Sequence, residues 1–141
     1  MRHSQTLNLK QLKQLAANMG RKNRNKDLLL GFSGQLGSGK TTFIKAFAAG
    51  LGVKKIKSPT FIIMASYQTP GKRRFYHLDF YRIRRISELK SLGFGEILAS
   101  RKRIIVIEWI DKFPKLAKKC NILARLDIIS KNTRNVQITI R

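Results

Sequence analysis

Leu28-Leu29-Leu30-Gly31-Phe32-Ser33-Gly34-Gln35-Leu36-Gly37-Ser38-Gly39-Lys40-Thr41-Thr42 is the stretch that decides the fold of this chain. It opens with an apolar run, Leu28 to Phe32, bounded by Asp27 and Ser33-Gly34, the pattern of a strand buried on both faces. Gly34 to Thr41 then fits G-x-x-x-x-G-K-[ST], and from Lys40 to Leu51 the residues Phe43, Ile44, Phe47 and Ala48 recur on one helical face. Strand, glycine-rich loop and helix thus occur in the order a phosphate-binding loop requires. Its glycines let successive backbone N–H groups turn inward, and the helix start adds a partial positive charge. At the frequencies of Gly, Lys and Ser/Thr here, a chance match somewhere in the chain is on the order of 1%. The motif implies a nucleoside triphosphate, with Gly37, Ser38, Gly39 and Thr42 contributing to the cradle, Lys40 reaching the phosphates and Thr41 offering a hydroxyl to Mg²⁺. It does not choose between kinase, GTPase, motor and switch.

Outward from the loop, Leu9, Leu12, Leu15, Ala16 and Met19 predict an amphipathic helix over 7–19 ended by Gly20, and Arg21 to Lys26 reads as a surface loop. Phe61 to Gln68 and Arg73 to Leu78 flank Thr69-Pro70-Gly71-Lys72 and predict an antiparallel hairpin. A helix capped by Ser87 is expected to break near Gly93 and Gly95. Arg103 to Glu108 is a second buried strand, and Ile122 to Ile129 with Asn135 to Ile140 predict a second hairpin. The expected fold is α/β: one P-loop domain over 1–141, its central sheet mixed but largely parallel, with antiparallel hairpins added.

Composition narrows the class further. The 141 residues carry 30 Lys and Arg against 7 Asp and Glu, a net charge of +23, yet 43% are hydrophobic, enough for a core without staples. A single cysteine, Cys120, excludes an intrachain disulfide scaffold and fits a reducing compartment. No apolar run approaches the roughly 18 residues of a membrane span, and Met1 to Leu15 lacks a signal-like block, so a cytoplasmic protein without membrane contact is expected. The charge implies attraction to polyanions, RNA among them, although Lys and Arg are spread over the chain as a general basic bias would spread them.

With so few acids, each can be weighed. A P-loop enzyme needs a carboxylate by the metal at the end of a buried strand. Glu108, closing Arg-Ile-Ile-Val-Ile-Glu, has that form and is the first choice for the metal site. Asp79, in His77-Leu78-Asp79-Phe80-Tyr81-Arg82, is the second, either holding the metal through water or orienting the attacking water. Asp27, Glu88, Glu96, Asp111 and Asp127 read as solvated charges. Trp109 suits either a stacking platform or partial core, and His77, without clustered Cys or His, does not read as a metal ligand.

These pieces together resemble one family, the TsaE (YjeE-type) ATPase of bacterial tRNA threonylcarbamoyladenosine (t6A) biosynthesis. The likeness rests on the Gly34 to Thr42 loop, Lys57-Ser58-Pro59-Thr60-Phe61, His77 to Arg82, Glu88-Leu89 with Leu92-Gly93, and Ile107-Glu108-Trp109. The resemblance implies ATP and Mg²⁺ binding, weak ATP hydrolysis, and association with TsaD and TsaB homologues, the complex that modifies adenosine in the anticodon loop of tRNA. It also implies catalytic roles for Lys40, Asp79 and Glu108, a metal role for Thr41 and Glu108, a switch-like Ser58-Pro59-Thr60, and a nucleotide contact by Thr6. One departure stands out: the family usually has an acid after the first loop glycine, where this chain has Gln35. That bears on hydrolysis and partner contact, not on the backbone cradle. Two other readings remain open: a small P-loop kinase using the Arg82, Arg84, Arg85 cluster, and a basic RNA-binding module with a vestigial loop.

Overall fold

A computed structural model describes all residues, Met1 to Arg141. Seven strands form one sheet: β1 (Arg2–Asn8), β2 (Leu28–Ser33), β3 (Met64–Gln68), β4 (Arg74–Asp79), β5 (Arg103–Glu108), β6 (Ile122–Ser130) and β7 (Thr133–Ile140), in the spatial order β1-β7-β6-β2-β5-β4-β3. The four central strands, β6, β2, β5 and β4, run parallel, and β3, β7 and β1 pair antiparallel at the flanks. The mixed, largely parallel centre with antiparallel hairpins is therefore as expected. Helices α1 (Leu9–Asn23) and α2 (Lys40–Gly50) cover one face; α3 (Phe94–Ala99), α4 (Pro114–Ala117) and a 3₁₀ segment, Ile86–Leu92, lie against the other.

Side-chain alternation assigns the faces. Leu28, Leu30 and Phe32 of β2, with Ile104 and Val106 of β5, join Phe43, Ile44 and Phe47 of α2, whereas Leu29, Ile105 and Ile107 join Phe80, Leu89, Phe94 and Leu116 on the other side. Since Glu108 shares the parity of Val106, and His77 and Asp79 share that of Phe75, all three point to the side where α2 begins.

Several expectations need correction. Residues 2–6, to which the sequence pattern assigned no element, and Leu7 and Asn8, expected in the first helix, form a strand: every side chain in β1 but Leu7 is exposed, so no apolar alternation marks it, and its pairing with β7 alone makes it a strand. The first helix starts at Leu9, where Asn8 and Gln11 form a reciprocal capping box, and it runs through Gly20 to Asn23, into the expected surface loop. Gly20 is there for proximity. A Cβ at Gly20 would lie 2.2 Å from the Phe47 carbonyl oxygen, and one at Gly50 would lie 2.2 Å from that of Ala17. The β3 strand begins at Met64 because Thr60 to Ile63 form a turn. Ser87 does not cap the next segment; Glu88 does, its Oε2 accepting from the N–H of Arg84 (2.7 Å) and Arg85 (2.9 Å), and these bonds hold its carboxyl below the usual range despite a small opposing desolvation. Asp27 is no idle charge either. It accepts from the Arg73 guanidinium and the Arg103 N–H, tying the starts of β4 and β5 together.

Gly50→Ala is expected to destabilise the fold by about 1–3 kcal/mol, the cost of overpacking against a backbone oxygen that has no room to yield, although helix propensity alone favours alanine by about 1 kcal/mol. Urea unfolding measures the sign. Cys120 is buried and its thiol pushed up to about 11 by desolvation. At neutral pH a disulfide reagent such as DTNB should therefore label the folded protein slowly and the urea-unfolded protein stoichiometrically.

Candidate functional site

The loop between β2 and α2 closes over two rings. Phe32, near the end of β2, and Phe43, in the first turn of α2, meet edge to face at 5.2 Å, a contact worth about 0.5–1.5 kcal/mol beyond its burial. Gly37 and Gly39 take φ of 80° and 102°, which residues with side chains adopt at a cost. Phe43 N–H bonds to Gly39 O at 2.8 Å; the N–H groups of Lys40, Thr41 and Thr42 before it are the open donors of a helix start.

Leu36, Gly37, Gly39, Lys40, Thr41 and Thr42 line a cavity of about 270 Å³ whose opposite wall is Thr60, Asp79, Tyr81, Glu108 and Trp109. Two sheet neighbours supply the carboxylates, since Asp79 and Glu108 stand opposite each other in the β4–β5 register. Both are buried. Thr41 Oγ1 donates to Glu108 Oε1 (3.2 Å), and His77 Nε2 lies 2.8 Å from Glu108 Oε2. Against a carboxylate the ring carries its proton on Nε2, consistent with a buried Nδ1 that has no partner. Asp79 accepts from Thr60 Oγ1 (2.8 Å) through Oδ2 and from the Tyr81 N–H (2.9 Å) through Oδ1. Its second link to the Thr60 segment is Asp79 N–H to Ile63 O, 2.9 Å. Ile63 itself sits at φ 72°, a strained conformation for a β-branched residue.

Lys40 is bent back onto its own loop. Its Nζ donates to Gly34 O and Gln35 O and lies 4.0 Å from the centre of the Trp109 ring, itself held at φ 64°. Burial lowers its pKa below 10.5, and Glu108, Asp111 and Asp79 oppose that shift. The sequence-derived residues Gly37, Gly39, Lys40, Thr41, Thr42, Asp79 and Glu108 thus converge on one cavity. Ser38 does not line it: its side chain is fully buried, and its Oγ has no partner. Thr6 is also outside the lining, an exposed residue of β1 opposite Asn135.

The sequence model described as threonylcarbamoyl adenosine biosynthesis protein TsaE matches residues 6–138. The chain belongs to the TsaE family. A curated TsaE protein from Aquifex aeolicus is 35% identical over 108 residues, 74% of this chain and 71% of the relative. One from Rickettsia prowazekii is 34% identical over 131 residues, covering 92% of this chain and 89% of the relative. The crystal structure of Bacillus subtilis YdiB superposes with a TM-score of 0.74 at 25% identity, over 99% of this chain and 86% of that one.

Against this TsaE-family frame, the sequence left the parts of two side chains at the site undefined, His77 reading only as no metal ligand and Trp109 as either stacking platform or partial core. His77 orders Glu108, but only the β4–β5 register reveals that the two meet. Trp109, the single tryptophan, covers Lys40. That contact makes a test. Because the Lys40 pKa is lowered, its ammonium is lost from under the ring as pH rises through a value below 10.5. Trp109 emission should show a transition there that Lys40→Met removes, while the tyrosine-dependent change common to both proteins remains.

Proposed function

We propose that this protein is the ATP-binding and ATP-hydrolysing subunit of tRNA t6A biosynthesis, working with TsaD and TsaB homologues on the anticodon-adjacent adenosine. Family membership supports the pathway, and one observation carries the nucleotide role: Thr41, the residue after the loop lysine, bonds to Glu108 at the end of the adjacent buried strand. A threonine hydroxyl and a carboxylate form the hard oxygen pair that Mg²⁺ accepts beside a triphosphate. The open N–H groups of the helix start, Gly37 and Gly39 with left-handed backbone, and the Lys40 ammonium fit a phosphate chain.

In this reading Thr41 and Glu108 would hold Mg²⁺, which would supply positive charge to offset that of the phosphates. Lys40 gives up the Gly34 and Gln35 carbonyls for phosphate oxygens. His77 keeps Glu108 turned toward Thr41. Asp79, at the far wall, orients water for attack once Thr60 Oγ1 or the Tyr81 N–H ceases to occupy its oxygens. Gln35 leaves this machinery without the family's usual acid, which fits slow hydrolysis. We assign Gly37, Ser38, Gly39 and Thr42 to the cradle through their backbone, and we give Thr6 no direct part because it stands outside the cavity lining. Residues 1–141 act as one domain. The location is cytoplasmic, consistent with a single buried cysteine and with no helix long and apolar enough to cross a membrane. The net charge of +23 supports an electrostatic contribution to holding tRNA in the assembly.

Radiolabelled threonine incorporated into tRNA by reconstituted TsaD, TsaB and this protein decides the matter. Lys40→Ala and Glu108→Ala should each reduce ATP-dependent incorporation to the level seen without the protein. Full activity of either variant overturns the reading, and a phosphorylated metabolite in place of free phosphate would point to a kinase.

A further inference from the structure

The carbonyl groups of the loop are nearly all accounted for, and one residue far away in sequence accounts for two of them. Gly34 O and Gln35 O accept from Lys40 Nζ, Gln35 O also accepts from Ser38 N–H (3.1 Å), and Gly39 O accepts from Phe43 N–H. Gly37 O and Ser38 O accept instead from Arg134 of β7, through Nη2 (3.2 Å) and Nε (3.1 Å). The remaining nitrogen of the same guanidinium, Nη1, donates to Ser130 O (2.8 Å) and Thr133 O (2.9 Å) in the turn between β6 and β7. One planar group therefore binds four backbone carbonyls, two in the loop and two in a hairpin.

From this geometry we infer that Arg134 is a positioning residue for nucleotide binding: it holds the Ser38–Gly39 peptide so that the Gly39 N–H faces the phosphates, and it steadies the preceding peptide, whose Ser38 N–H is bonded to Gln35 O. The inference rests on the nucleotide reading above. A trans peptide is planar, with C=O and N–H on opposite sides. Fixing Ser38 O against Arg134 therefore turns Gly39 N–H, which has no backbone acceptor, the other way. The same hold keeps two carbonyl dipoles, which would repel a polyphosphate, pointed at a cation on the outer side of the loop. Its importance grows on binding. Lys40 bonds to Gly34 O and Gln35 O, and once its ammonium moves to phosphate, Arg134 is the side chain still gripping the loop from behind. Arginine suits the task, since lysine offers one point charge and no fork that spans both segments.

Titration of MgATP against Trp109 fluorescence, alongside thermal melting and ¹H–¹⁵N spectra without nucleotide, tests this. Arg134→Lys and Arg134→Gln should weaken MgATP binding by about tenfold or more, the effect of losing a charged hydrogen bond. Their melting midpoints should stay near wild type and their amide shifts should be confined to Gly37 to Lys40 and the 130–134 turn, with Arg134→Lys no better than Arg134→Gln. Lys131→Ala, a charge removed from the same turn, should bind as wild type does. Wild-type affinity in the Arg134 variants overturns the inference. So does weakened binding accompanied by a lowered melting point and shifts spread through β6 and β7, which would make Arg134 a hairpin brace only. If wild-type protein binds no MgATP, the nucleotide reading falls and takes the inference with it, whereas failure of the variants alone leaves that reading intact.

Discussion

The edge-to-face contact of Phe32 with Phe43 is the constraint on which the site depends. A loop of six residues between a strand and a helix has many conformations available, and ordering each residue costs about 1–2 kcal/mol of backbone entropy. Both rings are fully buried and bring β2 and α2 together directly beneath the loop. Within those fixed ends the positive-φ glycines leave little choice of path. The carbonyls then find cations, Lys40 on one side and Arg134 on the other, while the N–H groups of Gly39 and of the helix start are left without a backbone acceptor. Apolar packing thus sets the geometry of a polar site without touching its contents.

The remaining site residues reach the cavity through the sheet. Parallel pairing of β4 with β5 sets Asp79 opposite Glu108, and pairing of β5 with β2 sets Glu108 opposite Phe32, so the carboxylates stand at the edge where the loop begins. Ligands of open α/β sheets bind at such C-terminal strand ends. Burial makes each carboxylate costly unless it is satisfied, and each is: Glu108 by Thr41 and His77, Asp79 by Thr60 and the Tyr81 backbone.

Much of this was legible in the sequence because it depends on local pattern. Leu28 to Phe32 and Arg103 to Glu108 are apolar runs of strand length, and Gly34 to Thr41 carries its spacing with it. What stayed hidden depends on pairing between distant segments. β1 has no inward apolar face, so only β7 reveals it; Gly20 looks like a helix stop until α2 is seen lying against it. Asp27 and Glu88 read as solvated charges because their donors are backbone or come from another strand. Arg134 was one cation among 30, distinguishable only once the hairpin brought it to the loop.

Ile63 carries a wider implication. A β-branched side chain at φ 72° stores on the order of 1–3 kcal/mol, comparable with the roughly 1.5–3 kcal/mol that a hydrogen bond to a charged group returns. The grip of Asp79 on the Thr60 to Ile63 turn is therefore partly cancelled at its source. Strain at Ile63 thus limits how much the Asp79 bonds stabilise the Thr60 to Ile63 turn.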